Sequence, residues 1–193
     1  MAPRTAPQRI PRDEGAELLV RAALDVAREV PVSKVTVREI AARAGLQTMH
    51  VKRYFGGRNE LLIAVSNRLM TRIVDSLKDR PLDQMFAHTQ GNKDVELRLR
   101  IISHLRDEGV EASRFADDHD VYMRIAERIA TVNKIGMRTA RAYANVIQLV
   151  LQGSRLMGDV NGLTARERKD IFELLTALGA GLSPAEKSLS WDD

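Results

Sequence analysis

Basic side chains are concentrated in the segment from Lys34 to Arg58. It contains six Lys and Arg residues against one acidic residue, Glu39, while the whole chain of 193 residues has a formal net charge of +4. The first twelve residues add three arginines and no acid. Because these two segments carry more positive charge than the molecule as a whole, the basic end favours a polyanion such as DNA. Charge alone leaves open a basic surface that is merely solvated.

Helix-boundary signals around the basic segment predict a helix-turn-helix arrangement. Thr36 and Glu39 have the spacing of a capping box, so a helix is expected to begin there. Gly45 can end that helix in the left-handed conformation, and a second short helix follows and runs to Phe55. Two short helices joined by a tight glycine turn are typical of DNA-binding proteins that insert the second helix into the major groove.

The second of these helices carries side chains that suit base recognition. Gln47, Thr48 and His50 offer hydrogen-bond donors and acceptors, so we predict that they face base edges. Arg53 suits a phosphate or a guanine, and Tyr54 can bind a phosphate through its hydroxyl while its ring packs on the domain. For each of these residues, a position away from the DNA or in the core is an open alternative.

Residues 16–65 resemble the DNA-binding domain of the TetR family of transcriptional regulators. The resemblance is carried by Ala22-Ala23, the run from Val35 to Ala41, Ala44-Gly45-Leu46, Tyr54-Phe55 and the restart from Arg58 to Leu62. It implies an all-helical homodimer, in which helix four joins a three-helix reader domain to a larger helical domain that dimerises and usually binds an inducer. It also implies phosphate contacts for Thr36 and Arg58.

The recognition helix departs from the family pattern. Met49, His50 and Lys52 stand where the family commonly has Gly, Thr and Tyr, so Lys52 is expected to replace a phenolic phosphate contact by a charge. The full set of predicted DNA-binding residues is Thr36, Arg43, Gln47, Thr48, His50, Lys52, Arg53, Tyr54 and Arg58.

Helical periodicity continues through the rest of the chain. No segment alternates apolar and polar residues like a strand, so the predicted fold class is all-α. We predict a flexible basic arm over residues 1–12, a helix-turn-helix domain over 13–57, a helical effector-binding and dimerisation domain over 58–182 and a C-terminal tail over 183–193. The absence of Cys and of any apolar run long enough to span a membrane favours a cytoplasmic protein. The run from Asp117 to Asp120 is interpreted as a helix start rather than a metal site, and no cofactor is expected.

Two sets of apolar residues in the larger domain predict binding surfaces. The last two long helices carry wide apolar faces, which predict a homodimer contact through Val146, Leu149, Val150, Gly153, Leu174 and Leu178. Aromatic and Met side chains suit a small, mainly apolar effector, and the candidates are Leu69, Ile73, Ile101, His104, Phe115, Tyr122, Met123 and Tyr143. Ordinary core packing is the alternative for both sets.

Together these features predict a one-component transcriptional regulator. We expect a ligand-responsive repressor that binds a pseudo-palindromic operator as a homodimer. The alternatives are a DNA-bound structural or partner-recruiting protein without an effector, and a helical enzyme with an incidental basic patch. The sequence contains no phosphate-binding glycine loop, nucleophile elbow or zinc-peptidase motif, so an enzyme is not expected.

Overall fold

The computed structural model describes residues 11–115 and 117–189. The helices in this part of the chain are α1 (Arg12–Glu29), α2 (Val37–Arg43), α3 (Thr48–Phe55), α4 (Arg58–Leu77), α5 (Leu82–Gly91), α6 (Lys93–Asp107), α7 (Asp117–Asn133), α8 (Met137–Leu156), α9 (Ala165–Ala180) and α10 (Leu182–Glu186). No strand occurs among the described residues, and the all-α prediction is confirmed. Residues 1–10 of the predicted arm and the side chains of the Asp117 to Asp120 run lie outside the described part.

The chain forms two compact units. Of the described residues, the reader unit comprises 11–68 and Ile101–Val110, and the C-terminal unit comprises Leu69–Arg100, 111–115 and 117–189. Both α4 and α6 therefore supply residues to each unit, whereas the predicted boundary between 57 and 58 assigned both helices wholly to the larger domain. The difference has a physical reason, because the first half of α4 and the end of α6 carry Leu61, Leu62 and Leu105, which are fully buried.

The reader unit is built on the mutual packing of α1, α2 and α3. α1 buries Leu19, Ala23 and Val26, α2 buries Ile40, and α3 buries Val51. Complete burial of an aliphatic side chain of the size of Leu, Ile or Val contributes about 1.5–3 kcal/mol. The two short helices are therefore held by the core through one face each, and their other faces are left for solvent or a partner.

Local signals set the ends of α2 and α3. Thr36 caps α2, since its Oγ1 accepts a hydrogen bond from the Glu39 amide at 3.2 Å. The return bond from the Thr36 amide to the Glu39 carboxylate, the other half of the predicted capping box, is not formed among the described residues. Gly45 between the helices has a φ of +67°, and Gly56 at the end of α3 has a φ of +89°. Both values lie in the left-handed region that glycine adopts without strain. The turn and the length of α3 thus follow from the sequence.

The C-terminal unit has its own core. α7 packs along α8, while α9 contacts α5, α8 and α10. The core includes Ile129, Ala140, Tyr143, Ile147 and Phe172. These residues come from three helices, so the unit depends on contacts between distant parts of the chain.

Individual hydrogen bonds fix the start of α9 and the position of α10. Thr164 and Glu167 form a capping box at the start of α9, with bonds of 3.2 and 2.8 Å to the two amides. The segment from 182 to 186 is helical, although a tail was predicted from residue 183. It is held in place because Glu186 Oε1 accepts a hydrogen bond from the Gly136 amide at 2.8 Å.

Candidate functional site

α3 presents a continuous solvent-exposed surface. The exposed residues at and after its start are Gln47, Thr48, Met49, Lys52 and Arg53. Val51 between them is 1% exposed and anchors the helix to the core. Of the predicted base-reading residues, Gln47 and Thr48 therefore lie on the open surface beside the predicted phosphate contacts Lys52 and Arg53.

His50, the third predicted base reader, also helps to cap α3. Its Nδ1 accepts a hydrogen bond from the Gln47 amide at 3.2 Å. Since Nδ1 acts as the acceptor, Nε2 is the nitrogen that carries the proton in the neutral ring and can donate to a base. The ring is partly buried and lies 5.5 Å from the Tyr54 ring, centroid to centroid.

Tyr54 packs against α1. A methyl group placed on Gly15 would come within 2.8 Å of Tyr54 Cε2 and 3.2 Å of its hydroxyl oxygen. The absence of a side chain at Gly15 thus lets the phenol ring lie directly on the first turns of α1. This contact fixes the ring, while the predicted phosphate contact of its hydroxyl stays a prediction.

The cationic side chains around α3 differ in whether they already form an ion pair within the protein. Arg43 forms two hydrogen bonds of 2.5 and 2.7 Å with the Glu29 carboxylate, which raises the pKa of Arg43 and lowers that of Glu29. A phosphate contact by Arg43 would have to exchange this carboxylate for a phosphate. By contrast, the exposed side chains of Lys34, Arg38, Lys52 and Arg53 have no ion-pair partner within residues 11–115 and 117–189.

Arg38 is a candidate that the sequence-based set missed. It lies in the first turn of α2 and lines an open recess of about 470 Å³ together with Gln47, Thr48 and Met49. Its position two residues after the Thr36 cap is the signal that could have identified it, because side chains at an exposed helix start lie near a bound phosphate.

Arg58 occupies the first position of α4 but turns inward. Its Nε and Nη2 donate to the Val35 and Val32 carbonyls at 2.7 Å each. Its Nη1 lies 3.3 Å from both carboxylate oxygens of Glu108, and its side chain is 21% exposed. The predicted phosphate contact would require Arg58 to give up these partners, so the structure gives it a role inside the reader unit.

His104, predicted for the effector pocket, belongs to the same cluster. Its Nε2 lies 3.1 Å from Glu108 Oε1 and 3.1 Å from Arg58 Nη2. The residue lies within the reader unit. Its polar tip is therefore engaged at the end of α6 and not with the C-terminal core.

The other predicted pocket residues fill interior space. Leu69, Ile73, Ile101, Phe115 and Tyr143 are buried, and Tyr122 and Met123 are partly buried. The two tyrosine hydroxyls donate to backbone carbonyls, Tyr122 to Arg141 and Tyr143 to Leu175. These bonds satisfy the polar tips that suggested a ligand site.

A cavity of about 460 Å³ lies elsewhere in the C-terminal unit. It is lined by Gly91, Glu96, Leu151, Ser154, Arg155, Asp159, Ala165, Arg168 and Phe172. None of these residues was predicted, and the four charged side chains differ from the mainly apolar lining that was expected.

The predicted dimer face is largely exposed on the single chain. Leu149 is 68% exposed, Leu174 60%, Leu178 54% and Val146 46%, and Gly153 is also exposed. Val150 is partly buried against the core. Four large apolar side chains on two neighbouring helices are thus left open to solvent, a pattern that marks an interaction surface.

Comparison with known proteins finds sequence similarity that includes most of the helix-turn-helix region. Residues 19–65 match the family model of bacterial regulatory proteins, tetR family. Over 84 residues the chain is 37% identical to the HTH-type transcriptional regulator BetI of Escherichia coli O45:K1 (strain S88 / ExPEC), which covers 44% of this chain and 40% of that regulator. BetI of E. coli strain K12 / DH10B is 34% identical over 80 residues, which cover 42% of this chain and 39% of that one. The chain therefore spans about two fifths of the length of the curated relatives it matches.

Solved structures extend the likeness in fold beyond this region. A transcriptional regulator from Rhodococcus sp. Rha1 superposes with a TM-score of 0.61 at 18% identity, covering 84% of this chain and 94% of that one. A tetR-family transcriptional regulator from Streptomyces coelicolor superposes with a TM-score of 0.67 at 18% identity, covering 93% and 84%. At this identity the likeness shows the fold alone.

A helix-turn-helix unit with an exposed, cation-bearing second helix places the chain in the helix-turn-helix class of DNA-binding proteins. Its residues 19–65 are similar to bacterial regulatory proteins of the tetR family. Among the helices that the structure describes, none combines the length and apolarity needed to cross a membrane.

Proposed function

We propose that the protein is a transcriptional regulator that binds a pseudo-palindromic operator in double-stranded DNA as a homodimer. The observation that carries this proposal is the surface of α3, where Gln47 and Thr48 stand beside Lys52 and Arg53 and are left exposed by residues 11–115 and 117–189. The polar side chains of Gln47 and Thr48 can read base edges, and the cationic side chains of Lys52 and Arg53 can neutralise phosphates. Regulation of transcription follows from occupancy of such a site near a promoter.

The homodimer is supported by the apolar face of α8 and α9. Leu149 and Leu174 are large apolar side chains that remain exposed on the single chain. Gly153 lies between them in the sequence, and a Cβ placed on it would meet no atom within 4 Å. A twofold pairing of this face would bury the same patch on both subunits. Two recognition helices would then meet two inverted half-sites, about one helical turn or slightly more apart.

Response to a small ligand is the second part of the proposal. α4 and α6 each supply residues to both units, so a ligand that prefers one packing of the C-terminal unit can alter operator affinity. Loss of affinity on ligand binding would make the protein a repressor that its ligand releases. A structural DNA-binding protein would instead hold its DNA regardless of any metabolite.

Selection from random duplex DNA tests the proposal directly. The purified full chain is expected to enrich an inverted repeat, and the variant with Gln47→Ala and Thr48→Ala is expected to lose the enrichment while still binding duplexes weakly. Recovery of no common sequence by the wild type would reject the proposal. A single half-site without an inverted copy would retain DNA reading but reject the dimer.

A further inference from the structure

Met49, in the first turn of α3, is the most exposed of the described methionines. Its side chain is 60% exposed, against 49% for Met157 and 38% for Met137, while Met85 is buried. The chain contains no cysteine, so the methionine thioethers are its sulfur groups open to oxidation. An oxidant in solution therefore has direct access to a sulfur atom on the predicted reading surface.

Met49 contributes apolar surface to the recess between α2 and α3. The residues that line this recess are Arg38, Ala41, Ala42, Leu46, Gln47, Thr48 and Met49. Met49 and Leu46 supply its large apolar side chains, and Arg38 supplies a positive charge. The thioether thus lies in the same recess as Gln47 and Thr48, the residues predicted to read base edges.

Oxidation makes the Met49 side chain polar without giving it a net charge. Hydrogen peroxide transfers one oxygen atom to the sulfur: the S–O bond forms as the O–O bond breaks, the sulfur is oxidised by two electrons, and the other peroxide oxygen leaves as water with both hydrogens. The sulfoxide is a hydrogen-bond acceptor, so pressing it against an apolar base edge costs free energy. The guanidinium of Arg38 has donors that suit the new oxygen, and a bond to it would draw a cation away from the DNA.

We propose that Met49 is an oxidation site through which hydrogen peroxide lowers operator affinity. The inference rests on the proposed function, because it requires α3 to read DNA. Thiol-dependent methionine sulfoxide reductases return the sulfoxide to the thioether, so the effect is reversible. DNA reading thereby responds to an oxidant in a chain that has no thiol.

The competing explanations are oxidation without consequence and oxidation that unfolds the chain. Met137 and Met157 are exposed in the C-terminal unit, where a sulfoxide has no direct route to the DNA. Met70 and Met123 are partly buried, so their oxidation could disturb packing. The first explanation predicts no change in operator affinity, and the second predicts a loss that does not depend on Met49.

Peroxide treatment of the purified full chain separates these explanations, with mass spectrometry to measure oxidation at each methionine. We expect the oxidised wild type to bind the selected operator about tenfold or more weakly, since a base contact is lost in each half-site. The salt slope should not change, because the sulfoxide is uncharged. Met49→Leu, of similar volume, should keep its operator affinity through the treatment. Met157→Leu is the matched control and should lose affinity as the wild type does.

Reduction by methionine sulfoxide reductases of both epimer specificities should restore the wild-type affinity. This comparison uses only the wild type, so it stands even if Met49→Leu binds the operator poorly. Oxidation of Met49 without loss of operator affinity, an equal loss in Met49→Leu, or oxidation of Met157 that leaves Met49 intact would overturn the proposal. The untreated wild type is measured first: a chain that selects no operator rejects the proposed function, and one that selects an operator but does not respond to peroxide rejects only this inference.

Discussion

Arg58 Nη1 lies 3.3 Å from both carboxylate oxygens of Glu108, fifty residues further along the chain. The same guanidinium also holds the carbonyls of Val32 and Val35, which precede α2. One side chain thus ties the start of α4 to the end of α6 and to the turn before the helix-turn-helix motif. All of these residues belong to the reader unit, so the cluster fixes the parts of α4 and α6 that lie within that unit.

Replacement of Arg58 by Ala should destabilise the reader unit. The substitution leaves two partly buried carbonyls without a donor, which costs about 1–3 kcal/mol. Denaturant unfolding measures the change, and Arg53→Ala serves as the control because that exposed arginine should alter stability by less than about 0.5 kcal/mol. If Arg58→Ala leaves stability unchanged and instead flattens the salt dependence of DNA binding, Arg58 contacts a phosphate as the family resemblance implies.

Lys52→Ala should weaken binding to all DNA sequences alike. Each phosphate contact contributes about one unit to the slope of log affinity against log salt, so a dimer should lose about two units. Titrations of operator and random duplex over a salt series give both slopes. Lys169→Ala, on the exposed part of α9, is a charge-matched control that should leave them unchanged. A slope equal to that of the wild type would place Lys52 off the DNA backbone.

The base-reading role of His50 can be separated from its capping role. His50→Asn keeps an acceptor for the Gln47 amide but removes the donor at Nε2, whereas His50→Ala removes both. If His50 reads a base, both variants should lose on the order of 1–3 kcal/mol per half-site on the operator and little on random duplex. Gln47→Ala should behave in the same way. Full operator affinity in His50→Asn together with a loss in His50→Ala would show that the residue serves only as a cap.

Met49 should contact a thymine methyl group. It is 60% exposed beside Thr48 and lines the recess between α2 and α3, so an apolar side chain reaches the surface where bases are expected. Replacing thymines of the selected operator by uracil, one at a time, removes single methyl groups. One position per half-site should lose affinity with the wild type and not with Met49→Ala, whereas Lys52→Ala should retain the difference. Equal binding of every substituted operator by the wild type would contradict the contact.

The sequence predicts the reader unit in detail because its structure is determined by local signals. The cap at Thr36 and the left-handed glycines at 45 and 56 need only neighbouring residues to act. The partners of Arg58 and the meeting of Arg155 with Arg168 depend on segments that only the folded chain brings together. For the same reason, residues such as Phe115 that suit a pocket cannot be distinguished in sequence from residues that suit a core.

Leu149→Arg should produce a folded monomer. The sequence alone left open whether Leu149 is buried within one chain, where an arginine would prevent folding. In the structure its side chain is 68% exposed, so a charge there is solvated in the monomer and desolvated only if two copies pair through this face.

Sedimentation should therefore show a dimer for the wild type and a monomer for the Leu149→Arg variant, with unchanged helical content by circular dichroism. Operator affinity should fall steeply, because one recognition helix alone meets only one half-site. Arg141→Ala, an exposed position eight residues earlier on α8, serves as the control and should remain dimeric. A wild type that sediments as a monomer at micromolar concentration, or a Leu149→Arg variant that stays dimeric, would show that this face is not the interface.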